Sequence, residues 1–338
     1  MTLDNKNLFL IIPITLLAMF LCKNLLVPLC FALFIFIIMK SLALKLSKTK
    51  IPIFRENYNI SFFIISISLI IIIYFFVMLL ENNLSKVIKN SELYQINLLI
   101  VFDYIKNSKI GSIPISLNEL LSNINFTSIF SKILNSLTNI VGSLSLVLIY
   151  LVFLIIEEKF FKVKIIKLFS KESSRNIFKK IGEEIFSYFQ LKTFTSLLTG
   201  SLTFIVLSIF NSDLAIFFAI LAFILNFIPF LGSLFSVILP FLFSLVQFLD
   251  LLQSIFLFFT LLIIQIFIGN FIEPKLMGKS LNLSPVIMLI TLGLMGNIWG
   301  VSGMFLSIPL LVILLITLAN FKSTKGFAIL LSEKGEIN

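Results

Sequence analysis

The chain has no histidine among its 338 residues, a single tryptophan, two cysteines and few charges, only 12% of residues being Asp, Glu, Lys or Arg. Without histidine there is no Ser-His-Asp or Cys-His triad, no His-ligated zinc and no ordinary proton shuttle near neutral pH. Most familiar hydrolase chemistry is excluded, and the expectation is that the protein is not an enzyme and carries no cofactor or metal. Cys22 and Cys30 flank the first predicted hairpin turn in apolar surroundings, where cysteine packs rather than forming half of a disulfide or metal pair. The charge fraction is far below the roughly 25% of soluble domains, and no separate soluble domain of useful size can be cut from the chain.

Hydrophobic residues make up 59% of the sequence and the mean hydropathy is +1.12. A membrane-spanning helix needs about 20 largely apolar residues, and about eight such segments can be placed. The fold class expected is therefore an all-α polytopic integral membrane protein. The first apolar stretch has only Lys6 before it and no small-residue cleavage site, so it is expected to be a retained span. The net charge of +10 fits a membrane-protein charge pattern, with lipids as partners and no nucleic acid.

Spans are expected over 8–21, 25–38, 60–80, 140–156, 194–210, from Leu214 onward, over 251–268, and over 302–318. The loop carrying Lys40, Lys45, Lys48, Lys50 and Arg55 and the segment 157–192, with nine Lys or Arg, are cytoplasmic by the positive-inside rule. Both termini then fall in the cytoplasm. Within 157–192, Ile177, Phe178, Ile181, Ile185, Phe186 and Phe189 share one helical face against Lys179, Lys180, Glu183 and Glu184, which predicts an interfacial helix touching anionic head groups.

Residues 81–137 regain charges of both signs and helical apolar spacing, interrupted around Gly111 to Pro114. They predict two amphipathic helices in an extracytoplasmic region, the second opened by the S-x-x-E capping box of Ser116 and Glu119. This region is either an outer cap over a transport path or a helical hairpin packed on its neighbours.

Two places interrupt the apolar runs. In Asn226 to Ser233, NFIPFLGS, Pro229 removes a backbone donor and Gly232 permits a bend, so a kink or break is expected. Further on, six of the thirteen glycines fall between Gly269 and Gly303. Backbone polar groups at membrane depth must be satisfied internally, so Gly and Pro this dense predict broken helices buried in protein or lining a wet cavity.

Ionisable groups inside a membrane are costly and are functional candidates by default. Glu273 is the foremost here, at a break expected between Gly269 and Pro274, with Lys275 as its expected partner. A carboxylate beside freed carbonyls can alternately hold a proton and a cation; the plainer reading is a capped turn. Asn226, Gln265 and Asn270 offer neutral amides suited to a polyhydroxylated solute or, equally, to helix–helix hydrogen bonds. Gly293, Gly296, Gly300 and Gly303 recur at three- or four-residue spacing that permits close helix packing or a hinge. Ser284 before Pro285 is a helix N-cap by position. Trp299 is expected as an interface anchor.

Three stretches together resemble the AI-2E family of membrane permeases: Asn226-Phe227-Ile228-Pro229-Phe230-Leu231-Gly232; Asn270 to Gly278 (NFIEPKLMG) with Leu281, Leu283, Ser284 and Pro285; and Gly300-Val301-Ser302-Gly303 followed by Ile308-Pro309. The order of spans, basic loop and outer region is similar over nearly the whole chain. The resemblance implies a multi-pass transporter of a bacterial inner membrane, a permease exporting a small polar solute such as a quorum-sensing signal. The alternative that the resemblance implies is a sodium/proton antiporter, and a pore-forming or structural oligomer without coupled transport stays open beside it. The resemblance also implies a homo-oligomer, a pentamer; the two broken segments themselves make Pro229, Gly232, Pro274, Gly278, Ser284, Pro285, Gly300 and Gly303, with the polar residues above, the expected pathway residues.

Overall fold

The computed structural model describes residues 14–49, 57–107, 144–158, 172–277, 282–320 and 324–335, with positions 128, 160, 161, 163, 164 and 167. Among the described residues the ordered elements are helices. In chain order they are α1 (14–21), α2 Lys23–Ser47, α3 Tyr58–Lys89, α4 Ser91–Asn107, α5 (144–158), α6 Glu172–Ile209, α7 Ala215–Leu225, α8 Leu231–Phe248, α9 Leu251–Phe267, α10 Glu273–Met277, α11 Pro285–Ala319 and α12 Lys325–Leu331. Among the described residues six stretches are long and apolar enough to cross a membrane: Lys23–Ser47, Tyr58–Asn83, Ile177–Ile209, Leu231–Phe248, Leu251–Leu276 and Pro285–Ala319. The two further spans expected over 8–21 and 140–156 coincide with α1 and α5, described only in part. The capping box at Ser116 and Glu119, and Gly278, lie outside the described residues.

Two elements run longer than expected. The predicted interfacial helix and the fifth span are one continuous helix, α6, because nothing in Gln190-Leu191-Lys192-Thr193 interrupts it. Likewise α3 does not stop at Leu80 but continues to Lys89, with α4 starting two residues later.

The chain divides into two compact units, one of Met1–Ser68, Gly142–Gln190 and Met277–Asn338, the other of Leu69–Val141 and Leu191–Leu276. Each contains a sharp reversal where the sequence predicts a break. In the second unit, α7 and α8 form a helical hairpin around the tip Asn226 to Phe230. Its two arms pack so closely that a Cβ on Gly232 would run into the Leu225 carbonyl. The base is tied by Gln247, whose amide donates to the Asn211 carbonyl (2.9 Å) and accepts from the Asp213 N–H (3.1 Å). A core of Tyr94, Leu98, Leu207, Leu214, Phe218, Phe243, Leu257 and Leu261 fixes this unit.

In the first unit the 35 residues of α11 are not one straight rod. Gly300 has φ 64° and ψ −147°, and Met304 Cε stands 2.7 Å from where a Cβ of Gly296 would be. Eight residues of straight helix would separate that pair by about 12 Å, so the chain bends sharply at Gly300. The halves, 285–299 and 301–319, are about 22 and 28 Å long, each shorter than the hydrocarbon core. Gly296 and Gly303 thus serve close packing within this bend, whereas a Cβ on Gly293 would meet nothing within 4 Å. Ser284 precedes the helix and Pro285 opens it as expected, but the Ser284 side chain makes no cap hydrogen bond. Its N–H instead donates to the Leu331 carbonyl at the end of α12 (3.0 Å).

Candidate functional site

Along α6 the positions Lys192, Thr195, Ser196, Thr199, Gly200 and Thr203 recur at three- and four-residue spacing, which places them on one helical face. All are buried, Lys192 with 5% of its surface exposed. The hydroxyls of Thr195 and Thr199 donate to the carbonyls of Lys192 (3.2 Å) and Thr195 (2.9 Å). Gly200 lets α7 approach, since a Cβ there would stand 2.9 Å from the Ala219 carbonyl. Small, self-satisfied polar residues thus carry one lysine into the interior at the end of the stripe.

The partner of that lysine comes from the end of the α9 stretch, 81 residues further along the chain. Along α9 the buried face runs Ser254, Leu257, Leu261, Gln265 and Ile268. In an unbroken α-helix the next position on this face is Ile272. Residues Ile268–Ile272 instead form a π turn, and the Glu273 N–H bonds the Ile268 carbonyl five residues back. One extra residue in the turn advances the face by one position, so Glu273 takes the buried slot. The cause is Pro274, which has no N–H for the Asn270 carbonyl and whose ring crowds it. The break expected between Gly269 and Pro274 is therefore a widened turn in a continuous helical path.

At this point the Lys192 ammonium and the Glu273 carboxylate form an ion pair, the two side chains being 6% and 16% exposed. Lys192 Nζ also donates to the backbone carbonyl of Asn226 at the hairpin tip (3.3 Å), and the Asn226 amide donates to Ser196 Oγ (3.1 Å). Lys275, the expected partner of Glu273, is exposed. Residues two apart on a helix do not face each other, which is why the sequence neighbour loses to a residue 81 positions away.

The site residues expected from sequence separate into groups. Asn226 and Glu273 meet through Lys192, and Pro229 shapes the same tip while Pro274 sets the register of Glu273. Gln265 is buried two turns earlier on the same face, but Asn270 is exposed in the π turn. Gly232 serves close approach of the hairpin arms rather than a bend. The unusual backbone lies instead at Phe230, where φ 61° and ψ −57° with a Leu231 N–H bond to the Pro229 carbonyl (2.6 Å) make a γ-turn. Ser284, Pro285, Gly300 and Gly303 belong to the other unit. There Trp299 is not an interface anchor: it is buried, and its indole N–H donates to the Met19 carbonyl.

Lys192 is the functional candidate that sequence reasoning missed. Its signal was present as K-x-x-T-S-x-x-T-G-x-x-T, small polar residues on one face of an otherwise apolar span. A second charged cluster joins Lys40, Glu158 and Tyr58 in the first unit, at 2.6 and 3.3 Å, beside a cleft of 640 Å³. Its lysine is 30% exposed, so that pair is the more screened of the two.

Comparison with known proteins gives these features a context. A family model described as AI-2E family transporter matches residues 8–323. A candidate transport protein of Borreliella burgdorferi is 30% identical over 222 residues, covering 63% of this chain and 61% of that protein. A candidate transport protein of Haemophilus influenzae is 29% identical, covering 60% of each chain. The AI-2 transport protein TqsA of Escherichia coli K12 is 28% identical over 208 residues, 61% of this chain and 60% of that protein. The matched stretches span about three fifths of each relative's length.

Proposed function

The chain belongs to the AI-2E family of transporters, and from that premise we propose that it exports a small polar organic solute, of the quorum-sensing signal class, across a bacterial inner membrane. The observation that carries this reading is the buried Lys192–Glu273 pair at the tip of the α7–α8 hairpin. Both residues lie in stretches apolar and long enough to span a membrane. An ion pair there is costly to bury and is kept where a pathway uses it. The amides of Asn226 and Gln265 supply neutral donors and acceptors for a hydroxylated solute. In this reading the protein is a homo-oligomer, pentameric by family resemblance, with both termini and the basic segment 157–192 cytoplasmic and 81–137 outside.

A second reading, exchange of sodium for protons, is favoured by the same pair, because Glu273 can hold a proton or a cation in place of the Lys192 ammonium. The test is flux from proteoliposomes of a labelled hydroxylated furanone, with and without an imposed proton or sodium gradient. Furanone movement that is lost in Glu273→Gln supports export. Cation exchange without furanone movement supports the second reading, and gradient-independent leak of both would make the protein a pore. Impermeant thiol labelling of Ser108→Cys but not Ser170→Cys in whole cells supports the orientation, and the reverse pattern inverts it.

A further inference from the structure

The α7–α8 hairpin is marked in a way that the transport reading does not require. The described residues hold three non-glycine positions with positive φ: Asn211 (54°) where the chain enters the hairpin, Phe230 (61°) at its tip, and Leu249 (53°) where it leaves. Such conformations are strained and persist only where surrounding contacts hold them. At the base those contacts are the Gln247 bridge and the Asn97 amide, which donates to the Val246 carbonyl (2.9 Å). At the tip the charged contact is Lys192, which binds the Asn226 carbonyl and Glu273 with one ammonium. The Asn226 amide adds a neutral tie to Ser196 Oγ (3.1 Å), and within the tip Ile228 is buried at 4% exposure while Phe230 is exposed.

One ammonium serving two acceptors links them. While Glu273 is ionised it holds Lys192 where it can also reach Asn226. Removing the charge at position 273 leaves the ammonium without its counter-charge in the interior, the costly state for a buried ion. Losing Lys192 releases the Asn226 carbonyl and leaves the tip beside the strained turn at Phe230 tied to α6 only through the neutral Asn226–Ser196 bond. Among the described residues the charged group paired with Glu273 is Lys192, while Lys275, two residues on, is exposed.

We propose that the α7–α8 hairpin is the gate of the transport path and that Lys192 is its latch, a positioning residue that ties the hairpin tip to the charge on Glu273. This rests on the export reading only for what passes the gate; the latch itself is readable without a substrate.

The experiment is maleimide labelling of Ile228→Cys in otherwise full-length protein with Cys22 and Cys30 replaced by serine, reconstituted in lipid. In the parent the buried thiol labels slowly. Glu273→Gln and Lys192→Gln should each raise the rate by about ten-fold or more, because local opening governs access to a buried group. Lys275→Gln should leave it unchanged. The double variant Lys192→Gln with Glu273→Gln carries no isolated charge to compromise folding and lacks the latch, so it must label as fast as the singles. Parent-like labelling in the double variant, or acceleration by Lys275→Gln as great as by Lys192→Gln, overturns the latch. Fast labelling of these variants in a protein that moves no furanone keeps the latch and defeats the export reading; furanone export with parent-like labelling does the opposite.

Discussion

The indole N–H of Trp299 donates to the carbonyl oxygen of Met19, 2.9 Å away and 280 residues distant in sequence. It fastens α1 to the bend of α11 immediately before Gly300. Trp299→Phe keeps an aromatic ring but removes the donor and part of the buried volume, and should cost about 1–3 kcal/mol. Trp299→Ala also empties a buried site and should cost about 3–5 kcal/mol. Thermal unfolding in detergent of the two variants checks this; an unchanged midpoint in Trp299→Phe would mean that the hydrogen bond contributes nothing measurable.

Glycine positions in the two interrupted stretches should respond very differently to one methyl group. A Cβ at Gly232 meets the Leu225 backbone, whereas at Gly269 it meets nothing within 4 Å. Gly232→Ala must therefore separate the hairpin arms and should cost about 2 kcal/mol or more. Gly269→Ala should be neutral or stabilising by up to about 1 kcal/mol. Gly300→Ala is strained by its backbone conformation rather than by space, with an expected loss of about 1–3 kcal/mol. Midpoints of unfolding for the three variants distinguish contact from conformation.

A thermodynamic cycle separates the buried pair from its exposed neighbour. Lys192→Gln and Glu273→Gln each leave a charge alone in the interior and should each destabilise by about 3–5 kcal/mol, while the double variant recovers a large part of that loss. Lys275→Gln should change stability by less than about 1 kcal/mol. Additive losses in the double variant would show that the two groups do not interact.

Tyr94 is fully buried on α4, and its hydroxyl donates to Asp213 Oδ2 at 2.6 Å. Burial first, then the hydrogen bond to Asp213 and its negative charge, push the phenol above its ordinary value of 10.0. The folded protein thus holds this proton more tightly than the unfolded chain does. The stability it contributes is fully present below about pH 10 and is lost as pH rises beyond that. Tyr94→Phe should be less stable than the parent by about 1.5 kcal/mol at neutral pH, with the difference shrinking at high pH. A constant difference from pH 7 to pH 11 would contradict the linkage.

Much of the architecture follows from local chemistry alone. Apolar runs of membrane length must be helical because only helices satisfy their own backbone there, and the reversals fall at Asn226 to Gly232 and at Gly300, where Pro and Gly announce them. The membership in a transporter family is legible in the same stretches. Element lengths were less so: α6 joins a basic amphipathic segment to an apolar one, since charge patterning changes what a helix faces and not whether it continues.

What the sequence by itself determined is that this is a membrane-embedded helical protein, interrupted at two places and carrying a few polar groups within its membrane-length stretches. Only the tertiary structure decided which of those groups meet. Glu273 reaches the interior because Pro274 widens the turn before it by one residue, and its counter-charge is Lys192 because α6 presents that side chain on a buried stripe. Gly232 is required by the approach of Leu225, and Trp299 is claimed by Met19. Each of these is a contact between residues far apart in the chain, set by the register in which helices pack, and no local propensity encodes that register.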